Sequence, residues 1–112
     1  MIEAILIEYL GTKLHVPVFV MLPETIPEGN FIVLDRIGHS KTNYVTSYTI
    51  AVQSYGSNAL SAATLNESVI EAMEELLEDG RFSRIHLNNG NMFTDTVRKL
   101  NRYQSTFEIV ML

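Results

Sequence analysis

The segment Lys99-Leu100-Asn101-Arg102-Tyr103-Gln104-Ser105-Thr106-Phe107-Glu108-Ile109-Val110-Met111-Leu112 decides the fold. From Arg102 to Val110 it alternates strictly. Tyr103, Ser105, Phe107, Ile109 and Met111 share one face, and Arg102, Gln104, Thr106 and Glu108 share the other. A period of two is the signature of a strand with one buried face. Aromatic and β-branched residues dominate it, and the absence of Gly and Pro gives no reason to place it at an edge or a bulge. The sequence therefore predicts a closing strand docked in a sheet around Tyr103, Phe107 and Ile109.

Working back from this strand, the rest of the chain supplies the sheet and its cover. Asn30–Ile37 is a strand apolar on both faces at its start, and so is expected to be covered on both sides there. Tyr44–Tyr55 is a longer strand with Tyr44, Tyr48, Ile50 and Val52 on one face and Ser47, Thr49, Ala51 and Gln53 on the other. The polar stretch Gly38–Asn43 between them predicts the turn of an antiparallel hairpin. Val16–Met21 is a short strand that Pro17 confines to an edge or to its own first residue. A loop follows from Pro23 to Gly29.

Two helices complete the set. Ile2, Ile5, Leu6, Tyr9 and Leu10 form an apolar stripe at helical spacing, ending between Leu10 and Leu14. Ser57 or Asn58 can cap a second helix running to about Glu78, with Ala62, Leu65, Val69, Ala72 or Met73, and Leu76 facing inward, Ala63, Ile70 and Leu77 widening the stripe, and Gly80 as the stop signal. Ser83–Asn88 reads as a short strand. The Asn89-Gly90 pair then reads as a turn, which makes Asn88–Thr96 an exposed, mobile loop. The order α-β-β-β-α-β-β describes one α+β domain over residues 1–112, with two helices on one face of a largely antiparallel sheet.

Composition narrows the chemistry. At 46% hydrophobic and 19% charged residues the chain is too apolar and too weakly charged for intrinsic disorder. It has no cysteine, which excludes disulfides, thiol catalysis and cysteine-ligated metal. No apolar run approaches the roughly 18 residues of a membrane span. Glu3 and Glu8 interrupt the N-terminal apolar stretch, and no basic region precedes it as a signal peptide requires.

The net charge of −5 is unevenly placed. Residues 1–80 carry eleven acids against three bases, and residues 81–112 carry two acids against five bases. Opposite charge on two parts of one chain favours head-to-tail contact between copies; chance in a short chain produces the same split.

No catalytic constellation emerges. His15, His39 and His86 lie in three different elements without helical metal-pair spacing, and surface or turn roles suffice for them. The nucleophile-elbow, P-loop and dinucleotide-binding glycine patterns are all absent. Asp35 and Arg36 are adjacent on a strand and so point to opposite faces. The Asn66-Glu67-Ser68 sequon falls inside a helix and is discounted.

Two charged clusters remain. Glu71, Glu74, Glu75, Glu78 and Asp79 place like charges at i, i+4 and crowd a helix C-terminus, where negative charge is unfavourable. They fit a solvated helix end partly relieved by Arg81 and Arg84, a contact to a basic surface of a neighbouring copy, or the wall of a channel that repels polyanions. Arg98, Lys99 and Arg102, beside Tyr103 and the Asn88–Thr96 loop with Asn89 and Asn91, form the basic counterpart. Three charges are too few to hold DNA at physiological salt. A subunit contact to the acidic helix end accounts for them at least as economically.

The order of elements, with Val16-Pro17-Val18-Phe19-Val20, Phe31-Ile32-Val33-Leu34-Asp35-Arg36, Thr49-Ile50-Ala51-Val52-Gln53-Ser54-Tyr55-Gly56 and Asn101-Arg102-Tyr103-Gln104-Ser105-Thr106-Phe107-Glu108-Ile109-Val110, resembles the tail terminator (tail completion, or head-tail joining) proteins of long-tailed bacteriophages and prophages. The resemblance spans nearly the whole chain and rests on packing motifs. It implies a structural virion protein without enzymatic activity or cofactor. Such a protein passes through the host cytoplasm and assembles at the tail-head junction as a homo-oligomer, a hexameric ring in that family. It would contact the tail tube protein and the head connector while DNA passes through unbound and no membrane takes part. On that implication the candidate interface is Glu71, Glu74, Glu75, Glu78, Asn89, Asn91, Arg98, Lys99 and Arg102. The competing expectation is a small ferredoxin-like ligand-binding or regulatory module, and a minor one is a hydrolase or isomerase using His39 or His86.

Overall fold

The computed structural model describes residues 2–95 and 100–111. Its elements run α1 (Ile2–Leu14), β1 (Val18–Phe19), β2 (Phe31–Thr42), β3 (Val45–Gly56), α2 (Ala59–Leu76), β4 (Phe82–Asp95) and β5 (Leu100–Met111). This is the α-β-β-β-α-β-β order expected of an α+β domain. The five strands form one sheet in the order β1-β2-β3-β5-β4. Only the β1–β2 pair is parallel.

Strand β5 sits centrally, between β3 and β4. Its alternation is realised at Ser105, Phe107 and Ile109, which are buried, whereas Tyr103 and Met111, expected on the same buried face, are half-buried like Arg102, Gln104, Thr106 and Glu108. Phe107 and Ile109 join Ile32 and Leu34 of β2 and Ile50 and Val52 of β3 beneath both helices. From α1 come Ile2, Leu6 and Leu10, spaced four apart on one stripe; from α2 come Leu65, Val69, Ala72, Met73 and Leu76. Each such large side chain contributes about 1.5–3 kcal/mol on burial. The Tyr9 hydroxyl donates to the Ala72 carbonyl at 2.7 Å and ties the two helices together.

The opposite face of the sheet is covered at one end only. Phe31, Val33 and Tyr55 form a second small core there, closed by Phe19, Leu22, Ile26 and Leu100. Phe31 and Tyr55 are cross-strand partners whose rings stack at 4.5 Å. Phe31 through Leu34 are therefore buried on both faces, as their continuous apolar run requires.

The termini of the helices follow their local chemistry. Asn58 caps α2, its Oδ1 accepting from the Ser61 amide at 2.8 Å. α1 ends where His15 enters the left-handed region (φ 56°), with its amide bonded to the Gly11 carbonyl at 3.0 Å. Gly56, just before α2, has no alternative: a Cβ there would sit 2.5 Å from the Ala62 amide nitrogen.

Four boundaries differ from the sequence expectation. The β2–β3 turn is not Gly38–Asn43. β2 continues to Thr42, and Asn43 and Tyr44, both at positive φ (51° and 66°), make a two-residue turn. That conformation matches the twist of a hairpin, so the ladder extends to Thr42–Val45 and absorbs the polar residues. Strand β1 shrinks from Val16–Met21 to Val18–Phe19, because only Ile32 and Val33 pair with it; the Pro17 carbonyl accepts from the Ile32 amide at 2.9 Å.

The loop expected over Asn88–Thr96 is corrected most. Asn89 to Asp95 continue β4, paired with Thr106 down to Leu100, while Thr96 lies outside the described residues. Asn89-Gly90 makes no turn here. A register shift between Leu87 and Asn89 accommodates the turn-prone residues as a β-bulge within a ladder that β5 holds extended. Finally, α2 stops at Leu76, and Leu77 is 44% exposed rather than part of the buried stripe.

Candidate functional site

The acidic cluster lies on the outer side of the helical layer. Glu71, Glu74, Glu75 and Glu78 are all exposed, and the like charges follow one another along the last turns of α2. One of them is compensated: Glu75 pairs with Lys13 of α1, which raises the lysine pKa through that hydrogen bond. Arg81 does not relieve the glutamates. Its guanidinium and backbone amide both bind Asp79, at 2.7 Å and 3.0 Å, and hold that carboxyl below its ordinary range. Arg84 is likewise engaged elsewhere, 3.7 Å from Glu108 on β5. Among the described residues no ion pair reaches Glu71, Glu74 or Glu78. The relief expected from Arg81 reaches the cluster only at Asp79, and that expected from Arg84 is corrected, because Glu108 is its nearer carboxylate.

The basic segment is only partly in view. Arg98 and Lys99 lie outside the described residues; for Asn89 and Asn91 the backbone alone is described, as strand. Arg102 is half-buried and bound to its own sheet. It faces Tyr55 across the β3–β5 ladder, donates to the Tyr55 hydroxyl at 3.2 Å, and lies 5.9 Å from the centre of that ring. Arg102 therefore serves the second core as well as carrying charge.

The acidic cluster and Arg102 occupy different ends of the molecule. Arg102 and Tyr55 mark the end of the sheet where β3 leads into α2, and they belong to the face away from the helices. Glu75 and Glu78 stand where α2 has crossed to the other end, above the start of β4, which pairs with Met111. The nine residue steps from Arg102 to Met111 span about 30 Å of strand, in a molecule whose longest axis is 43 Å. The acids and Arg102 do not meet within one chain.

The remaining part of the open sheet face is polar. Gln53 and Gln104 are ladder partners whose side-chain amides bond at 3.2 Å. Beyond them Gly38, His39, Ser40, Ser47, Thr49 and Glu108 line a shallow depression of about 340 Å³. A larger groove, about 600 Å³, runs along α1 between Ala4, Ile5, Glu8, Tyr9, Thr12, Lys13 and Arg81. Sequence reading missed this groove, because it depends on where the turn after α2 places Arg81.

Two further polar links were also not anticipated. Arg36 donates twice to the Glu3 carboxylate of α1, with Nε–Oε2 at 2.8 Å, and its guanidinium lies 5.0 Å from the Tyr48 ring centre. These hydrogen bonds hold the Glu3 carboxyl below its ordinary value although burial pushes it the other way. Inside the core the Ser105 hydroxyl donates to Asn66 Oδ1 at 2.6 Å. Alternation placed Ser105 on the buried face, but nothing in sequence pointed to its partner.

The three histidines stay apart. His15 caps α1, His39 stacks near Tyr48 at 6.3 Å, and His86 faces Glu108 in the β4–β5 ladder. Among the described residues no three of His, Cys, Asp or Glu are grouped to hold a metal ion, and no helix is long and apolar enough to cross a membrane. No protein-family model matches this chain, and no curated protein sequence matches it.

Proposed function

We propose that the chain is a structural assembly protein of the tail terminator kind. It would form a head-to-tail ring that caps the tail tube and joins it to the head connector. The observation that carries this reading is the placement of charge. Glu71, Glu74 and Glu78, without an ion pair among the described residues, stand on the helical layer at one end of the molecule. The arginine nearest the basic segment belongs to the opposite end and the opposite face. An acidic cluster and an arginine placed so that one chain cannot pair them suit a heterologous contact between copies. A polar open face with Gln53, Gln104, Thr49 and Glu108 is also compatible with a lumen through which DNA passes without adhering.

The experiment is light scattering of the purified protein, alone and with its tail tube protein, over a range of salt and concentration. The expected result is a ring whose formation weakens as salt rises. A chain that stays monomeric and never halts tube growth overturns the reading. Charge reversal at Arg98 and Lys99 tests the basic patch better than reversal at Arg102, since Arg102 also supports Tyr55.

The groove along α1 favours a second reading, a ligand-binding module. Its mix of Ile5 and Tyr9 with Glu8, Lys13 and Arg81 has the character of a small-molecule site. Saturable thermal stabilisation by a small metabolite, lost on Thr12→Trp, would select it over the assembly role.

A further inference from the structure

The sheet has two free edges, and they match. β1 covers β2 only at Ile32 and Val33, so among the described residues the outer side of β2 from Asp35 to Thr42 has no strand beside it. At the other margin β4 has no outer neighbour among the described residues. Following the ladders across the sheet sets the two edges level. Ser40 pairs with Ser47, Ser47 with Val110, and Val110 with Arg84. By the same route Lys41 is level with Phe82, and Asp35 with Asn89. The uncovered part of β2 therefore stands at the height of Phe82–Asn89, and β1 blocks only the height at which Asn91 and Met92 stand.

Direction and side chains agree as well. Each of the pairs β2–β3, β3–β5 and β5–β4 is antiparallel, so β4 runs opposite to β2. A neighbouring copy that keeps the same strand direction would bring β4 against β2 as an antiparallel pair, the more favourable kind. Across the junction Gly38 stands level with His86 and His39 with Ile85, a stretch without proline or Lys, Arg, Asp or Glu, the usual guards of a free edge; it is bounded by Arg36 and Lys41 on β2 and by Arg84 on β4. Each edge also exposes a large apolar side chain beside that stretch, Ile37 at 58% and Leu87 at 38%.

From this we infer that copies of the chain join edge to edge. The β2 segment Asp35–Thr42 of one copy would pair with the β4 segment Phe82–Asn89 of the next, continuing the sheet from copy to copy. The inference rests on the self-assembly reading and names its interface. The main-chain hydrogen bonds of the junction would supply the attachment, and the acidic and basic patches would set its direction.

The chain has no cysteine, so engineered thiols report cleanly. Ser40 and Arg84 are both exposed, and within one chain β2 and β4 are three strand spacings apart, about 14 Å, too far for an internal disulfide. Under mild oxidation the double variant Ser40→Cys/Arg84→Cys is expected to give a ladder of disulfide-linked multimers on a non-reducing gel. Its last strong band reads the ring size. Leu87→Lys and Ile37→Lys are expected to weaken association at least tenfold by light scattering, with unchanged circular dichroism. Oligomers that form without any ladder overturn the edge junction and leave the ring reading standing. Symmetric dimers from Ser40→Cys alone or Arg84→Cys alone overturn the head-to-tail arrangement. A chain that never self-associates overturns both readings.

Discussion

The two faces of the sheet are built from the same strands and do different work. Towards the helices, Ile32, Leu34, Ile50, Val52, Phe107 and Ile109 are all buried, none more than 2% exposed. Away from them, Asp35, Thr49, Gln53, Gln104, Thr106 and Glu108 remain in contact with solvent, beside the buried Ala51 and the small core of Phe31, Val33 and Tyr55. The helix face holds the fold, and the other face is left free to meet something else. Mutations should therefore separate the two faces by size of effect. The sharpest case is Phe107→Ala, which removes a 1% exposed ring from the centre of the helix-side core. It should cost about 3–5 kcal/mol in urea unfolding. Thr106→Ala, one residue away on the other face, should stay within about 0.5 kcal/mol.

Gly56 extends the comparison to the end of the sheet, where β3 gives way to α2. Gly56→Ala would press a methyl group against the Ala62 amide nitrogen and the Ser61 backbone carbon, at 2.5 Å and 2.9 Å. Those are backbone atoms of a capped helix, which cannot turn aside as the tip of a side chain can. The expected loss is about 2–3 kcal/mol, visible as a lower Tm without loss of helical circular dichroism at low temperature.

How much of this was legible beforehand depended on the physical source of each signal. Period-two alternation is local and survives the absence of a structure, so the burial of Phe107 and Ile109, both faces of Phe31–Leu34, and the stripe of α2 could all be read. Turn chemistry is local too, but tertiary pairing overrides it. Asn89-Gly90 and Gly38–Thr42 both carry turn-prone residues, yet each lies in a ladder whose neighbouring strand keeps it extended. The charge clusters were visible as composition. The separation of the acidic cluster from Arg102, onto different ends and faces, was not, because it follows from where α2 crosses the sheet. Pairings across long sequence distance, such as Arg36 with Glu3 or Ser105 with Asn66, leave no trace in spacing. The free edges were hidden for a related reason: strand order decides which strands lie outermost.

A smaller effect probes the one polar contact buried on the helix side. Asn66 is 5% exposed and Ser105 fully buried, so Asn66→Ala would leave the Ser105 hydroxyl without its acceptor in a dry site. The expected cost is about 1–3 kcal/mol, towards the lower part of that range where a water can enter. The double variant Asn66→Ala/Ser105→Ala should recover part of the loss, because it removes the orphaned group as well. A double-mutant cycle by urea denaturation measures that recovery, and strictly additive losses would show the two residues to be uncoupled.

The smallest effect lies where the helix face turns polar, at Glu3 and Arg36. Arg36 holds the Glu3 carboxyl below its ordinary value of 4.5. The folded state therefore binds the proton less readily than the unfolded chain. The contact contributes fully above the ordinary carboxylate pKa and is lost as pH falls through the lower, folded value. The Glu3 side chain is 16% exposed and Arg36 31%, so solvent screens the pair and keeps its contribution below that of Asn66. Glu3→Gln should lower the urea midpoint slightly at pH 6 to 7, and the difference from the parent should shrink as pH falls below about 4.5. Arg81 likewise holds the Asp79 carboxyl below its ordinary value, but it does so in both proteins and cancels in the comparison. A gap between parent and variant that stays constant from pH 7 to pH 3 would mean that the contact works through packing of Glu3 against the sheet rather than through its charge.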